Sequence, residues 1–120
     1  VLVIDEISML DAELFDLLEQ VARIVRNNQK PFGGLQLVLC GDFFQLPPVA
    51  KGGASYKFAF EAKAWNNCVT TTFELNQVFR QSDPEFIGAL QQIRLGRCPP
   101  HVAALLRACK GRQMDDEEDG

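Results

Sequence analysis

The chain begins Val1-Leu2-Val3-Ile4-Asp5-Glu6-Ile7-Ser8, an apolar, mostly β-branched run that stops at two adjacent carboxylates. With no polar residue to mark a solvent face, Val1 to Ile4 predict a strand buried on both sides, as in a parallel sheet covered by helices. Alternation along the strand sends Asp5 and Glu6 in different directions at its carboxyl end, where open α/β sheets build their ligand crevices. Nucleotide hydrolysis suits such an edge, since one carboxylate can hold Mg²⁺ while its neighbour orients or deprotonates the attacking water.

The rest of the chain alternates helix and strand around that run. From Asp11, a predicted N-cap, Leu14, Phe15, Leu18, Val21, Ala22 and Val25 recur at helical steps, with Glu13, Asp16, Glu19, Gln20, Arg23 and Arg26 between them. Residues 27–34, Asn-Asn-Gln-Lys-Pro-Phe-Gly-Gly, break this helix. Leu35 to Cys40 predict a second apolar strand, and strand, helix, strand at these lengths reads as a right-handed crossover between parallel strands. The second strand also ends in polar residues, Gly41-Asp42-Phe43-Phe44-Gln45-Leu46-Pro47-Pro48-Val49, where a glycine permits a sharp turn and two prolines stiffen the exit. Beyond a Gly- and Lys-rich loop, Phe58 to Trp65 predict a short helix and the threonine-rich stretch Val69 to Leu75 a third strand. Two further helices are expected, from about Asp83 to Leu95, closed by Gly96, and from Pro99-Pro100 to about Ala108. Three predicted strands thus finish in residues able to handle a phosphate: Asp5 and Glu6, Asp42 and Gln45, Arg80 and Gln81.

Composition narrows the class without deciding the chemistry. At 120 residues, 47% hydrophobic and 23% charged, the chain is expected to form at most one soluble globular unit. Its apolar runs are strand-sized, so no membrane partner is expected, and the default setting is intracellular. Cys40, Cys68, Cys98 and Cys109 are widely spaced and accompanied by the single His101, a pattern that fits reduced thiols better than a zinc site. The net charge of −4 misleads, because five of the sixteen acids stand in the run from Asp115 to Asp119; the remaining eleven face twelve basic residues. The body is therefore near neutral, which neither argues for nor excludes nucleic acid, and the acidic run reads as a solvated linker or terminus.

Three blocks, Val3-Ile4-Asp5-Glu6-Ile7-Ser8-Met9-Leu10, Gly41 to Val49, and Phe79-Arg80-Gln81, closely resemble motifs two, three and four of the Pif-family DNA helicases of superfamily one. The segments Leu14 to Glu19 and Pro31-Phe32-Gly33-Gly34 resemble the insert that this family carries between motifs two and three. The resemblance implies an α/β P-loop NTPase, a RecA-like parallel sheet with flanking helices, here incomplete because the sequence contains no G-x-x-x-x-G-K-[ST] phosphate loop. Residues 1–112 would be the later part of the first motor domain and 113–120 an acidic linker or terminus, the phosphate loop lying upstream. The implied activity is ATP-driven, five-prime to three-prime unwinding of DNA, with roles in repair, recombination and telomere maintenance. The implied partners are ATP, single-stranded DNA, duplex junctions and the rest of the helicase chain. The location would be the nucleus or mitochondrion in a eukaryote, otherwise the cytoplasm. The segment alone would bind ATP weakly and unwind nothing.

By the same resemblance Asp5 holds Mg²⁺ through water, Glu6 polarises the lytic water, Gln45 senses the terminal phosphate and Arg80 neutralises charge on the transferred phosphoryl group. A planar, always-charged fork suits that last task better than lysine. The competing readings are solvated loop carboxylates, a turn amide and a surface ion pair. Asp42 either joins the site or caps the backbone of its own turn. Phe43, Phe44 and Trp65 either stack on bases or fill core, core being favoured. Pro47-Pro48-Val49, which in the family lies between the ATP site and the DNA path, suits coupling. Arg94, Arg97, Arg107 and Arg112 read as scattered solvated charges and His101 as non-catalytic. A reading of a different class is a non-catalytic DNA-binding or scaffold remnant of a degenerate mobile-element helicase, against which the intact acidic and arginine positions argue.

Overall fold

The computed structural model describes residues 1–50, 52 and 55–111; the acidic run expected as a linker lies outside them. The chain divides into two compact units, Val1–Leu75 and Asn76–Gly120, rather than the single unit expected.

In the first unit, strand β1 (Leu2–Ile4) pairs in parallel with β2 (Leu37–Leu39), in the register Leu2 to Leu37, Val3 to Val38 and Ile4 to Leu39. The ladder runs past both strands, with Leu2 N–H donating to Gln36 O (2.8 Å) and Cys40 N–H donating to Ile4 O (2.9 Å). Helix α1 (Ala12–Val25) makes the crossover between them, as the helical spacing predicts. The sheet is covered on one face only: Leu2, Ile4, Leu37 and Leu39 pack against the core, while Val1, Val3 and Val38 are exposed. Burial on both faces is therefore corrected, because among the described residues a single layer of helix and turn lies against the strands.

Both ends of α1 are set by local chemistry. The Asp11 carboxylate accepts the Glu13 N–H (2.8 Å), satisfying one of the unpaired donors of the first turn. At the other end Asn27 adopts a left-handed conformation (φ 47°), and its N–H and that of Asn28 return to the carbonyls of Ile24 and Arg23, both at 3.1 Å. This is the paired-bond ending usually supplied by glycine, which asparagine tolerates.

The face that α1 buries differs from the one expected. Ala12, Phe15 and Glu19 are buried and Ala22 packs against the core, whereas Leu14, Leu17, Leu18, Val21, Ile24 and Val25 are exposed. Pro31-Phe32-Gly33-Gly34 forms a 3₁₀ turn in which Phe32, Gly33 and Gly34 all have positive φ. That reversal drives Phe32 under α1, where its ring meets Phe15 edge-on at 5.3 Å. Such a pair adds about 1 kcal/mol beyond the area it buries. Only glycine fits at position 33, since a Cβ there would lie 2.5 Å from the Ala22 carbonyl oxygen.

Residues 58–65 do not form the single helix predicted. Ala59–Glu61 make a 3₁₀ turn and α2 (Trp65–Cys68) is one turn of helix. Asp16 on α1 explains the break: its two carboxylate oxygens accept the N–H groups of Lys63 (3.1 Å) and Ala64 (2.9 Å), so a new helix starts there. Val69 to Leu75 form no strand, a second correction, because no described segment pairs with their backbone. Threonine content gives β-propensity, but a strand needs a neighbour.

In the second unit, α3 (Pro84–Arg94) is capped by Asp83, which accepts from Glu85 and Phe86 N–H. Gly96 (φ 70°) closes it, with Gly96 N–H to Ile93 O and Arg97 N–H to Gln92 O. Helix α4 (Pro100–Ala108) follows, and Ala89 and Val102 are the buried residues of the pair. Phe86, Leu90 and Ile93, expected to share the apolar side of α3, are exposed. No described helix is long and apolar enough to cross a membrane.

Candidate functional site at the carboxyl edge of the sheet

The turns that leave β1 and β2 touch each other. Buried Ile7 pulls the chain back under the edge immediately after the two carboxylates, and its N–H donates to Cys40 O (2.9 Å). Gly41 lies against this turn so closely that a Cβ on it would meet Ile7 N at 2.9 Å and Ile7 Cγ2 at 3.0 Å. Any larger residue at 41 would part the two turns. The pairing of an Asp-Glu edge with a Gly-Asp turn, inferred from sequence as a shared location, is thus a direct backbone contact.

The abrupt reversal is absorbed at Glu6, whose backbone is left-handed (φ 52°, ψ 46°). A non-glycine residue held there stores about 1–3 kcal/mol of strain and persists only when its surroundings impose it. Asp5 Oδ1 accepts the Glu6 N–H at 2.9 Å, which helps to hold the turn and leaves Oδ2 for other partners. Both carboxylates are exposed, and among the described residues that of Glu6 accepts no hydrogen bond. Two residues on, the Ser8 hydroxyl is fully buried without a partner among the described residues.

The second turn is built by Asp42. Its carbonyl accepts the Gln45 N–H (3.0 Å), its Oδ1 accepts the Phe44 N–H (3.0 Å), and its Oδ2 accepts Gln45 Nε2 at 3.4 Å. The capping role considered for Asp42 is therefore present, together with a contact to the Gln45 side chain. Phe43 anchors the turn from below: its ring lies 4.9 Å from Phe60, 6.0 Å from Phe58 and 6.1 Å from Trp65. Phe43 and Trp65 are accordingly core residues, whereas Phe44 is 62% exposed. Pro48 is buried, which fixes the exit of the loop.

Arg80 and Gln81 belong to the other unit, in the exposed irregular stretch before α3. The strand predicted from Val69 to Leu75, which Arg80 would have followed, is absent, so the strand-end argument for it falls away. Its guanidinium takes part in no hydrogen bond or ion pair among the described residues. His101 is exposed on α4.

Two perturbed groups lie away from the Asp5–Glu6 turn. The backbone N–H of Glu13, then that of Lys57, holds the Asp11 carboxyl below its ordinary value of 3.8. Burial first, then the negative charges of Glu19 and Asp16, pushes the Cys68 thiol up to about 11. An open polar cleft of about 780 Å³ adjoins Cys68, but its acidic groups Asp16 and Glu19 already hold backbone amides of this chain.

Sequence reasoning missed Glu19. It is only 7% exposed, and it accepts both the Arg23 guanidinium (2.9 Å) and the Phe32 N–H (3.3 Å). Its helical position looked like surface, and only the fold of residues 31–34 reveals its task.

A parallel pair joined by a crossover helix, with acidic and amide side chains at its carboxyl edge, is the architecture of a RecA-like P-loop NTPase. A family model described as PIF1-like helicase matches residues 1–103, and the chain belongs to that family. It is 58% identical over 113 residues to both the rat and the human ATP-dependent DNA helicase PIF1, covering 94% of this chain. It is 52% identical over 109 residues to the budding yeast ATP-dependent DNA helicase RRM3. The chain spans 18% of the two mammalian relatives and 15% of the yeast one, with 89% of its own length in that match. Among solved structures, Candida albicans Pif1 superposes with a TM-score of 0.88 at 41% identity, over 98% of this chain and 26% of that one. Bacteroides Pif1 in complex with ADP-AlF3 and ssDNA also gives 0.88, at 34% identity, over 99% of this chain and 30% of its own.

Proposed function

We propose that this chain works within a longer polypeptide as the later part of the first motor domain of an ATP-dependent DNA helicase. Residues 1–112 would supply the motor segment and 113–120 an acidic linker or terminus. The observation that carries the reading is the contact between the Asp5-Glu6 turn and the Gly41-to-Gln45 turn, with Glu6 held left-handed and its exposed carboxylate engaging none of the described residues. The relatives' names supply ATP and DNA, and one solved relative holds a nucleotide with aluminium fluoride and single-stranded DNA.

In this mechanism Glu6 takes a proton from water as the water oxygen bonds to the terminal phosphorus. The bond from that phosphorus to the bridging oxygen breaks, and ADP leaves with the electron pair. Gln45 offers a neutral amide to water and phosphate without adding negative charge. Arg80 would present a planar fork to the phosphoryl group, a role that its exposed guanidinium, without a partner among the described residues, leaves open. The donor set suits Mg²⁺: Asp5 spends only Oδ1 on the Glu6 N–H, and this ion is commonly held by one or two carboxylates, water and phosphates. Asp5 would hold it through water, and the ion would offset charge on the phosphates. Movement along DNA, five-prime to three-prime, would follow from such turnover, acting on single strands and duplex junctions in the nucleus, mitochondrion or bacterial cytoplasm.

In the full-length protein carrying this segment, Glu6→Gln should retain ATP and DNA binding and lower DNA-stimulated hydrolysis by about a hundredfold or more. A loss of less than a few-fold would remove Glu6 from the chemistry.

A further inference from the structure

Gln45 is held by Asp42 at two points, and a third bond to Asp42, from Phe44, shapes the turn between them. The Asp42 carbonyl takes the Gln45 N–H at 3.0 Å, Oδ1 takes the N–H of the intervening Phe44 at 3.0 Å, and Oδ2 faces Gln45 Nε2 at 3.4 Å. The first two bonds set the backbone of the turn; the third sets the side chain. An amide can be turned end for end at little steric cost, so its two faces are distinguished only by what they meet. A carboxylate is an acceptor only and would repel Oε1, so Nε2 is the end that turns toward Asp42. Among the described residues Oε1 accepts nothing, and Gln45 is exposed.

We propose that Asp42 is the positioning residue for Gln45, fixing its amide so that Oε1 is presented as an acceptor to the attacking water. The second hydrogen on Nε2 then remains for a phosphate oxygen. This inference rests on the reading of Gln45 as a contact to water and terminal phosphate, and it adds the group that decides which end of the amide does which task. Without Asp42 the amide samples both orientations, and in the wrong one Oε1 faces phosphate oxygens that can only repel it. The defect should therefore appear in turnover rather than in nucleotide binding.

The test compares Gln45→Ala, Asp42→Ala, Asp42→Asn and the double variant Asp42→Ala/Gln45→Ala in the full-length protein, with ATP titrated at saturating single-stranded DNA. Asp42→Ala should lower kcat by about tenfold, the scale of one charge-assisted hydrogen bond, with KM for ATP within about threefold. Asp42→Asn keeps an acceptor for the Phe44 N–H but can meet either end of the amide, so kcat should fall by about three- to tenfold with an unchanged melting temperature. The double variant should lie within about twofold of Gln45→Ala, because Asp42 has nothing left to position. A merely structural Asp42 would instead lower the melting temperature in Asp42→Ala, spare Asp42→Asn, and give a double variant whose loss is the product of the single losses. Either that pattern or an Asp42→Ala kcat within twofold of wild type overturns the proposal. Near-normal turnover in Gln45→Ala would overturn the reading of Gln45 itself, and the positioning role with it.

Discussion

Glu19 and Glu6 stand at opposite ends of the same folding problem. Glu19 is buried on α1, receives the Arg23 guanidinium and the Phe32 N–H, and sits beside a glycine-rich turn packed against Ala22. Glu6 is exposed, engages none of the described residues with its carboxylate, and sits in a strained backbone beside the glycine that touches Ile7. Both regions use a glutamate, a close glycine contact and positive φ. In the first, every such device is satisfied by the chain itself, and changes there should damage the fold. In the second, strain and an unengaged charge persist together, the arrangement expected where a ligand completes the site.

The largest effect on that contrast should come from Gly33→Ala. A Cβ 2.5 Å from the Ala22 carbonyl oxygen, at φ 60°, forces backbone apart, and the loss should reach about 3 kcal/mol or more in urea unfolding. Retained stability would mean that the 31–34 turn is not locked under α1. Glu19→Ala should follow, costing about 2 kcal/mol because the buried Phe32 N–H is left without an acceptor. If Glu19→Ala were neutral, the buried glutamate would be as dispensable to folding as Glu6, and the contrast would fail.

A smaller effect concerns pH and thiol chemistry. Cys68, pushed up to about 11, should alkylate slowest of the four free cysteines at pH 8, behind exposed Cys40, Cys98 and Cys109. Because its folded value is raised, its contribution to stability is intact below the ordinary 9.0 and fades as pH rises through about 11. Asp11 has the opposite sign: its contribution is intact above 3.8 and is lost as pH falls through its lowered folded value. Equal labelling of all four thiols would show that the α1–α2 contact opens readily.

The helices were legible from sequence because their signals are local. Asp11, Asp83, Gly96 and Pro100 act on backbone groups within a turn of themselves, so their meaning survives without the fold. The apolar stripe of α1 was also legible, but a stripe does not say what it faces. Leu17 is 54% exposed while Glu19 is buried, an outcome decided by where Phe32 lands. The strand predicted for Val69 to Leu75 failed for the same reason, since pairing is a property of two segments and propensity of one. At the candidate site, Asp5, Glu6, Asp42 and Gln45 could be named from sequence and located at two adjoining turns. The left-handed backbone at Glu6 and the Asp42–Gln45 contact could not, because both arise from the Ile7 and Phe43 side chains being drawn into the core.

If strain at Glu6 is held for chemistry and not for folding, Glu6→Gly and Glu6→Ala should differ in stability and agree in lost turnover. Both variants lose the carboxylate, but glycine relaxes the left-handed backbone and alanine does not. Glu6→Gly should unfold no earlier than wild type and be about 1 kcal/mol more stable than Glu6→Ala. Both should show DNA-stimulated ATP turnover reduced by about a hundredfold or more in the full-length protein. A Glu6→Gly variant that unfolded well before wild type, or that kept near-normal turnover, would contradict that role for the strain.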